Sequence, residues 1–345
     1  MADKLKLLLI GYRAYGDWLY TLPVLPYLFD RYDVHIELNN KGYELFHDDT
    51  RFIGMTRFDV DAWMRKDPTK VWDLAKERWA MLEKELKPDR IINLLGTLEG
   101  ECIAERYQPE FHLSAEERRK HFGHKNFYEA IFEKCDISMP DKPKLDNLNF
   151  TPEQLLWVWN WRVMNTGKFI IIMPIAGSCS HKVYPEMPRL THDILKKYPN
   201  AVIYLTGDSS VAHAQWEHDG RIKHLCGTMP IKQIILMTKY ADMVIGGETG
   251  IVVAAGMWGT PKIMLCTASS VYQCCKYHEN DYSMQANTEC SPCHKAIYNV
   301  NDCEQMIKDG EDTYPKCITT FDYSKIMEAV DKVYDLQRSI LQQIC

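Results

Sequence analysis

Short apolar runs alternate with amphipathic segments along most of the chain. In the first hundred residues, runs of about one strand's length occupy positions 6–10, 34–38 and 90–95, with helical patterns at 19–29 and 69–86 between them. The runs are apolar at consecutive positions rather than at every second one. That pattern is typical of parallel strands that helices cover on both faces.

A second series of the same kind follows a weaker region between 110 and 165. Its predicted strands and helices alternate at 169–173, 190–197, 201–205, 231–239, 243–245, 251–258 and 262–266. Residues 136–149 are interpreted as the link between the two series. The pattern predicts an α/β protein with two doubly wound, Rossmann-like domains facing each other across a cleft. We expect domains at 1–150 and 151–322, and an amphipathic helix at 323–345 that packs back on the body.

Composition narrows the class of protein. The 345 residues carry 41 basic and 47 acidic side chains, a net charge of −6, which argues against broad electrostatic binding to nucleic acid. The charged run at 117–120 is interpreted as a solvated helix face. No run approaches the roughly 20 apolar residues of a membrane span, and the first residues lack a signal-peptide cleavage site. We expect a cytoplasmic protein without a membrane span; peripheral membrane association and the oligomeric state stay open.

The loop after the first predicted strand carries a candidate catalytic group. Gly16 and Asp17 lie there, next to the start of a helix. An ionised carboxylate at this edge of a sheet can accept the proton of an attacking hydroxyl, and the positive end of the helix favours its ionisation. The alternative is that Asp17 only caps the helix, which is the commoner role of such a residue.

Two loops of the second series can hold phosphate groups. The first contains Ser178, Ser180 and Lys182 among small residues, so that hydroxyl, ammonium and backbone groups can approach an anion. The second, Gly-Gly-Glu-Thr-Gly at 246–250, leads into a helix whose free N–H groups attract a diphosphate. The alternatives are an ordinary loop with an exposed Lys, and a glycine turn with a capping Thr.

Together, and in this order, these segments resemble the heptosyltransferase-type family 9 glycosyltransferases, which have the GT-B fold. The matching landmarks are Gly16-Asp17 with Thr21-Leu22-Pro23, Pro174 with Ser178 and Lys182 to Pro185, Leu225 to Thr228, Glu248-Thr249-Gly250, and Gly259-Thr260-Pro261. The resemblance runs over most of the chain and is strongest at 6–24 and 168–266.

The resemblance implies an inverting transfer from a nucleotide-diphosphate sugar, ADP-heptose by analogy, to a hydroxyl of a glycan, a lipid-linked glycan or a protein. The N-terminal domain would bind the acceptor and the C-terminal domain the donor. Asp17 would be the general base, and Lys182, helped by the two serines, would stabilise the leaving diphosphate. No catalytic metal is implied. The resemblance implies three further contacts with the donor. The backbone N–H groups of Thr249 and Gly250 would contact its phosphates, and Glu248 would contact its sugar. Gly227 and Thr228 would lie beside the nucleotide.

Three positions depart from the family pattern. Glu248 stands where the family has Asp, Val253 where it has His, and Tyr184 where it has Trp. These changes bear on the sugar, which could be a heptose, a hexose or a pentose, more than on the mechanism.

Four of the twelve cysteines lie close together late in the sequence, a C-x2-C pair followed by single cysteines after nine and thirteen further residues: Cys290, Cys293, Cys303 and Cys317. Four thiolates can close a tetrahedral site for zinc or iron. The resemblance adds that some protein-modifying relatives carry a similar iron-binding finger. We expect a structural metal that organises 285–320; free thiols are the alternative, and His294 or the pair Cys274 and Cys275 are alternative ligands.

Two other functions stay open. A GT-B transferase could modify a different acceptor, such as hydroxylated nucleic-acid bases, if a local basic groove exists. A non-catalytic scaffold could bind a nucleotide and assemble through the cysteine segment, although the presence of Asp17 and Lys182 argues against it.

Overall fold

The computed structural model describes residues 4–67, 70–175, 182–207, 219–298, 300–309 and 312–344. The chain divides into two compact units. Residues 1–101 and 127–151 form unit 1, and residues 102–126 and 152–345 form unit 2. In the described part of the chain, no helix is both long and apolar enough to cross a lipid bilayer.

Strands and helices alternate along the chain in both units. The strands are β1 (Leu5–Gly11), β2 (Tyr32–Leu38), β3 (Gly54–Arg57), β4 (Arg90–Asn93), β5 (Phe169–Pro174), β6 (Ala201–Thr206), β7 (Ile222–His224), β8 (Met243–Gly247), β9 (Lys262–Cys266), β10 (Met284–Gln285), β11 (Met306–Asp309) and β12 (Asp312–Pro315). The helices are α1 (Tyr15–Thr21), α2 (Leu25–Arg31), α3 (Asn40–Phe46), α4 (Val60–Lys66), α5 (Val71–Leu86), α6 (Ala115–Phe122), α7 (Phe127–Lys134), α8 (Pro152–Met164), α9 (Met187–Lys197), α10 (Ile231–Tyr240), α11 (Gly250–Trp258), α12 (Val271–Cys275) and α13 (Tyr323–Ile344).

Unit 1 is built on a parallel sheet with the strand order β3-β2-β1-β4. The consecutive apolar residues of β1, Leu7 to Ile10, are all buried, as expected for a strand covered on both faces. The single helix predicted at 19–29 is wrong. It is divided into α1, a 3-10 turn at Leu22–Val24 and α2, because Pro23 and Pro26 each lack a backbone N–H and restart the helical turn.

Unit 2 is built on a second parallel sheet with the order β10-β9-β8-β5-β6-β7, and a separate antiparallel pair, β11-β12. The terminal helix α13 packs on this unit, since Ile326, Ala329, Val330 and Val333 are buried with the residues of β5 in one core. These four positions share one helix face.

Residues 102–126 lie in unit 2, although the sequence analysis placed them in the first domain. Four contacts explain why. Ala104 forms a β-bridge with Lys295, and the Gln273 side chain donates to the carbonyls of Cys102 and Phe122 at 3.0 and 3.2 Å. The Asn126 amide donates back to the carbonyl of Gln273 at 2.9 Å. One residue of α12, Gln273, therefore makes three of these contacts through its side chain and its carbonyl.

In both sheets the strand order reverses beside the first strand of the unit. The reversal falls between β1 and β4 in unit 1 and between β5 and β8 in unit 2. Ligands of doubly wound proteins bind outside the carboxyl ends of the strands at such a point. The structure thus confirms the α/β class of the fold and indicates where in each unit a site is expected.

Candidate functional site

In unit 1, Asp17 lies in the first turn of α1, directly after β1. Its Oδ2 accepts a hydrogen bond from the Ala14 amide at 3.1 Å, and the Thr21 hydroxyl donates to its backbone carbonyl at 2.9 Å. Asp17 therefore has the capping role that the sequence left as an alternative. Among the described residues, no hydrogen bond reaches Oδ1, so one carboxylate oxygen of this half-buried residue remains for another partner.

The loop that carries Asp17 is held by close packing. A Cβ on Gly11 would lie 2.5 Å from the Trp18 ring and one on Gly42 would lie 2.7 Å from it, so neither position accommodates a side chain. The Asn39 side chain donates to the Arg13 carbonyl at 2.9 Å and accepts from the Gly42 amide at 3.1 Å. These contacts fix the backbone on both sides of the carboxylate.

A buried acidic network lies at the same loop. Glu37, in the interior of β2, accepts hydrogen bonds from the Tyr12 hydroxyl at 2.8 Å and from the Arg78 guanidinium, and Trp79 Nε1 donates to the Tyr12 oxygen at 3.0 Å. Burial, and then the neighbouring Glu37 carboxylate, raise the pKa of Tyr12. Sequence reasoning missed this network. Its one signal was an acidic residue inside an apolar run at 34–38.

In unit 2, Lys182 and Glu248 lie on opposite sides of the strand reversal between β5 and β8. The backbone of Lys182 is so close to Gly247 that a Cβ there would lie 2.3 Å from the Lys182 carbonyl oxygen. Burial raises the pKa of Glu248, and the Lys182 ammonium partly offsets this. The structure thus brings these two predicted residues together. Ser178 and Ser180 lie outside the described residues.

Glu248 supports the loop that follows β9. One carboxylate oxygen accepts from the Ser269 amide at 2.8 Å, and the other accepts from the Thr267 hydroxyl at 3.3 Å. Both carboxylate oxygens of Glu248 therefore already accept hydrogen bonds from the protein. The sequence predicted a contact of Glu248 with the donor sugar but not these bonds.

Thr249 and Gly250, which follow Glu248, form the start of α11. Thr249 is its N-cap, and its hydroxyl is buried without a hydrogen-bond partner in the described part of the chain. Gly250 is the first residue of this nine-residue helix, whose first N–H groups have no partner within the helix. The Thr249 amide, predicted to contact the phosphates, instead donates to the Gly247 carbonyl at 2.8 Å, so of the two predicted backbone donors at the start of α11 the Gly250 amide remains beside Lys182 and Glu248.

The loop at Gly227 and Thr228 lies farther along the same sheet edge. Gly227 has a φ of 67°, a left-handed conformation that favours glycine, and its amide donates to the Gly207 carbonyl at 2.9 Å, at the end of β6. The Thr228 hydroxyl donates to the Leu225 carbonyl at 2.9 Å. This predicted nucleotide loop thus lies at the carboxyl edge of the second sheet.

The four predicted metal ligands line one cavity of about 80 Å³: Cys290, Cys293, Cys303 and Cys317. Burial raises the pKa of Cys293 to about 12, and it also raises the pKa values of Cys303 and Cys317. A further cause in each case is repulsion from other thiolates of the set. Among the described residues, however, no three of these four sulfurs lie within 4.8 Å of one another. Four sulfur donors that line one cavity suit a thiophilic metal ion by their chemistry, but they would have to move closer together to coordinate it. The alternative ligands His294, Cys274 and Cys275 do not line the cavity.

A residue that sequence reasoning misjudged holds this cavity in place. Arg118 was assigned to a solvated helix face, but it is buried and lines the cavity. Its Nε donates to the Cys293 carbonyl at 2.6 Å and its Nη1 to the Phe111 carbonyl at 3.2 Å. The prediction is wrong because tertiary contacts of the 102–126 segment cover this side of α6.

Comparison with known proteins supports the assignment of the fold and does not by itself identify an activity. No protein-family model matches the chain, and no curated protein matches it in sequence. A family 9 glycosyl transferase from Veillonella parvula superposes with a TM-score of 0.60 at 12% identity, covering 96% of this chain and 97% of that one. The ADP-heptose lipopolysaccharide heptosyltransferase II of E. coli gives a TM-score of 0.58 at 13% identity, covering 97% and 100%.

A third similar structure is the iron-containing, dodecameric glycosyltransferase TibC of enterotoxigenic E. coli. It gives a TM-score of 0.59 at 9% identity, covering 97% of this chain and 77% of that one. The resemblance seen in the sequence motifs is therefore confirmed at the level of the fold: the chain has the GT-B fold that these glycosyltransferases share.

Proposed function

We propose that the protein is an inverting glycosyltransferase that transfers a sugar from a nucleotide-diphosphate sugar to an acceptor hydroxyl. The observation that carries the proposal is the strand reversal of unit 2, where Lys182, Glu248 and the start of α11 come together. A cation beside free helix N–H groups is a site for a diphosphate. The GT-B fold and the order of the sequence motifs support the same activity.

In the proposed reaction, Asp17 accepts the proton of the acceptor hydroxyl, and the resulting oxygen attacks the anomeric carbon of the donor. The bond between that carbon and the diphosphate oxygen breaks, and the electron pair leaves with the diphosphate. Lys182 and the amide of Gly250 stabilise the charge that develops there, whereas the Thr249 amide already donates to the Gly247 carbonyl at 2.8 Å. Asp17 is suited to the proton transfer because its backbone is fixed and its Oδ1 remains open.

The donor that we propose first is ADP-heptose, which is named for the similar heptosyltransferase II. Ser178 and Ser180 would assist at the phosphates, and Gly227 and Thr228 would border the nucleotide. A glycan, a lipid-linked glycan or a protein is the proposed acceptor class.

The four cysteines of the cavity would hold a structural zinc or iron ion. Because all four ligands would be thiolates, no coordination position is left for a substrate. The ion would fix the loop and take no part in sugar transfer.

The test compares Asp17→Asn with the native chain. An asparagine oxygen can still accept from the Ala14 amide, so the melting temperature and its increase on adding ADP or ADP-heptose should be retained. Transfer, followed as release of ADP, should fall by about 10²–10⁴-fold because the base is lost. Asp59→Asn is the matched control, since Asp59 caps α4 through a 2.9 Å bond from the Ala62 amide and should retain activity.

Undiminished transfer by the Asp17→Asn variant would refute the role of Asp17 as the base. A melting temperature that responds to none of a panel of nucleoside diphosphates and their sugars would refute donor binding and favour the scaffold.

A further inference from the structure

A second group of cysteines lies in the core of unit 2. Cys266 ends β9, and Cys274 and Cys275 end α12; all three are buried, with exposed fractions of 0%, 2% and 3%. Cys266 forms hydrogen bonds with both of the others. None of the three lines the cavity of the four-cysteine set. The group is therefore a distinct feature, hereafter the core thiol cluster.

A carboxylate completes a possible ligand set. One oxygen of Glu248 and the sulfurs of Cys266 and Cys274 all lie within 4.8 Å of one another. Ligand atoms around one tetrahedral zinc ion are roughly 3.5–3.8 Å apart, given metal–ligand distances of about 2.0–2.3 Å. A contraction of up to about 1.3 Å in the separation of any two of these atoms would thus bring all three to bonding distance of a single ion.

The three ligands are held from outside by other contacts. The Glu248 carboxylate is oriented by the Ser269 amide and the Thr267 hydroxyl. The Cys266 carbonyl accepts from the Ala286 amide at 2.9 Å. α12, which carries Cys274, begins with a capping box in which the Ser270 hydroxyl accepts from the Gln273 amide at 3.1 Å. Ligands that are oriented in this way before binding favour a metal ion.

The neighbouring cation is already paired. Lys262 Nζ lies 2.7 Å from Asp281 Oδ1, 3.0 Å from Ser283 Oγ and 3.2 Å from Cys275 Sγ. The sulfur of Cys275 is therefore a hydrogen-bond partner of the Lys262 ammonium, whereas Cys266 and Cys274 are the thiols beside Glu248. The ordinary role of buried thiols is that of small apolar side chains, but that role does not account for a carboxylate among them, which burial disfavours.

We propose that Glu248, Cys266 and Cys274 form a second metal site, selective for a thiophilic divalent ion such as Zn²⁺. Binding replaces the two thiol protons, which leave to solvent, so that two thiolates and one carboxylate surround the ion. The fourth position is open to a water molecule. The inference does not depend on the transfer reaction, because it concerns only how three side chains of unit 2 bind a cation.

The first experiment counts zinc in the full-length chain, purified under reducing conditions without chelators and dialysed against Zn²⁺. Cys266→Ser with Cys274→Ser should remove one zinc ion per chain. Cys290→Ser with Cys293→Ser should remove a different one, so that the two losses add. Cys135→Ser, a buried cysteine of unit 1 with no part in either set, is the matched control and should remove none. An unchanged zinc content in the Cys266→Ser, Cys274→Ser chain would overturn the proposal.

A second experiment uses the native chain, so that it does not depend on how the variants fold. Alkylation of Cys266 and Cys274 by iodoacetamide, mapped by mass spectrometry, should be slower by about tenfold or more when Zn²⁺ is present, because the ion blocks both sulfurs and stabilises the closed site. Cys135 should react at the same rate with and without zinc. Equal rates at Cys266 and Cys274 in the two conditions would show that they hold no ion.

Discussion

Unit 2 contains two sulfur-rich regions that are built in opposite ways. The four-cysteine loop, residues 285–317, takes its cysteines from turns and irregular segments spread over 28 positions, outside the hairpin β11-β12, and these cysteines are only half-buried. The core thiol cluster takes its sulfurs from the ends of one strand and one helix of the main sheet, where they are fully enclosed. In the first region a metal would organise the chain, whereas in the second the chain is already organised by its core.

The two regions meet at Glu248. This carboxylate lies beside Cys266 and Cys274, and its charge also contributes to the raised pKa values of Cys293 and Cys317. Deprotonating thiols on both sides of a carboxylate accumulates negative charge in a poorly solvated place. A cation in either region would relieve this repulsion, so we expect an ion in one region to change the affinity of the other for its ion, while each region at saturating zinc still holds one ion.

This difference implies that a substitution beside the core thiol cluster should lower the free energy of unfolding more than one in the four-cysteine loop. Asp281→Ala should show the largest effect, because it leaves the Lys262 ammonium, with a side chain 0% exposed, without its carboxylate. Removing one partner of a buried ion pair typically costs about 3–5 kcal/mol. Urea denaturation of the native and variant chains measures this loss in the free energy of unfolding.

The matching substitution in the four-cysteine loop is Asp302→Ala. Asp302 forms an ion pair with Arg106, whose side chain is 43% exposed. Water therefore solvates the guanidinium that the substitution leaves unpaired, and the free energy of unfolding should fall clearly less than in Asp281→Ala. A loss at Asp302 equal to or above that at Asp281 would contradict the contrast between a rigid core region and a loop region.

Gly256→Ala should give an intermediate effect in the packing behind the core thiol cluster. A Cβ on Gly256, in α11, would lie 2.3 Å from Nδ1 of the buried His278. Such overpacking typically costs about 1–3 kcal/mol, against which the better helix propensity of alanine recovers up to ~1 kcal/mol. Thermal unfolding monitored by circular dichroism should detect the loss. Gly220→Ala, where no atom of the described residues lies within 4 Å of the added carbon, is the control; equal melting temperatures for the two variants would refute the steric argument.

The sequence was informative for one sulfur region and silent on the other, for a physical reason. Cys290 and Cys293 show the C-x2-C spacing of a metal knuckle, so local sequence predicted that region. Cys266 and Cys274 are brought together only by the packing of α12 against the end of β9, and no spacing rule encodes that contact. The same limit explains Arg118, whose burial depends on the 102–126 segment joining unit 2.

The fold was easier to predict than its details. Long apolar runs such as the one that forms β9 gave strands with correct bounds, whereas β3, β7 and β10 have only two to four residues and too few apolar positions to be recognised. The roles of Asp17 and Lys182 in transfer stay predictions, since the structure shows their surroundings and not a substrate.

Of the changes considered, removal of bound metal should lower the free energy of unfolding least. Its structural effect should be confined to the four-cysteine loop. A chelator such as 1,10-phenanthroline should make peptide bonds within the four-cysteine loop more susceptible to a protease, because without an ion the loop is held by the hairpin β11-β12 and by contacts with residues 102–126, such as the Ala104–Lys295 bridge, and not by the ladder of the main sheet. The main sheet should stay folded, since its strands are held by their own hydrogen-bonded ladder and apolar core. Limited proteolysis with mass mapping, beside a thermal melt of the same sample, measures both responses. Cleavage that is equally slow with and without chelator would mean that no metal organises the loop, and a melt that collapses as far as that of Asp281→Ala would mean that the two regions do not differ in the way proposed.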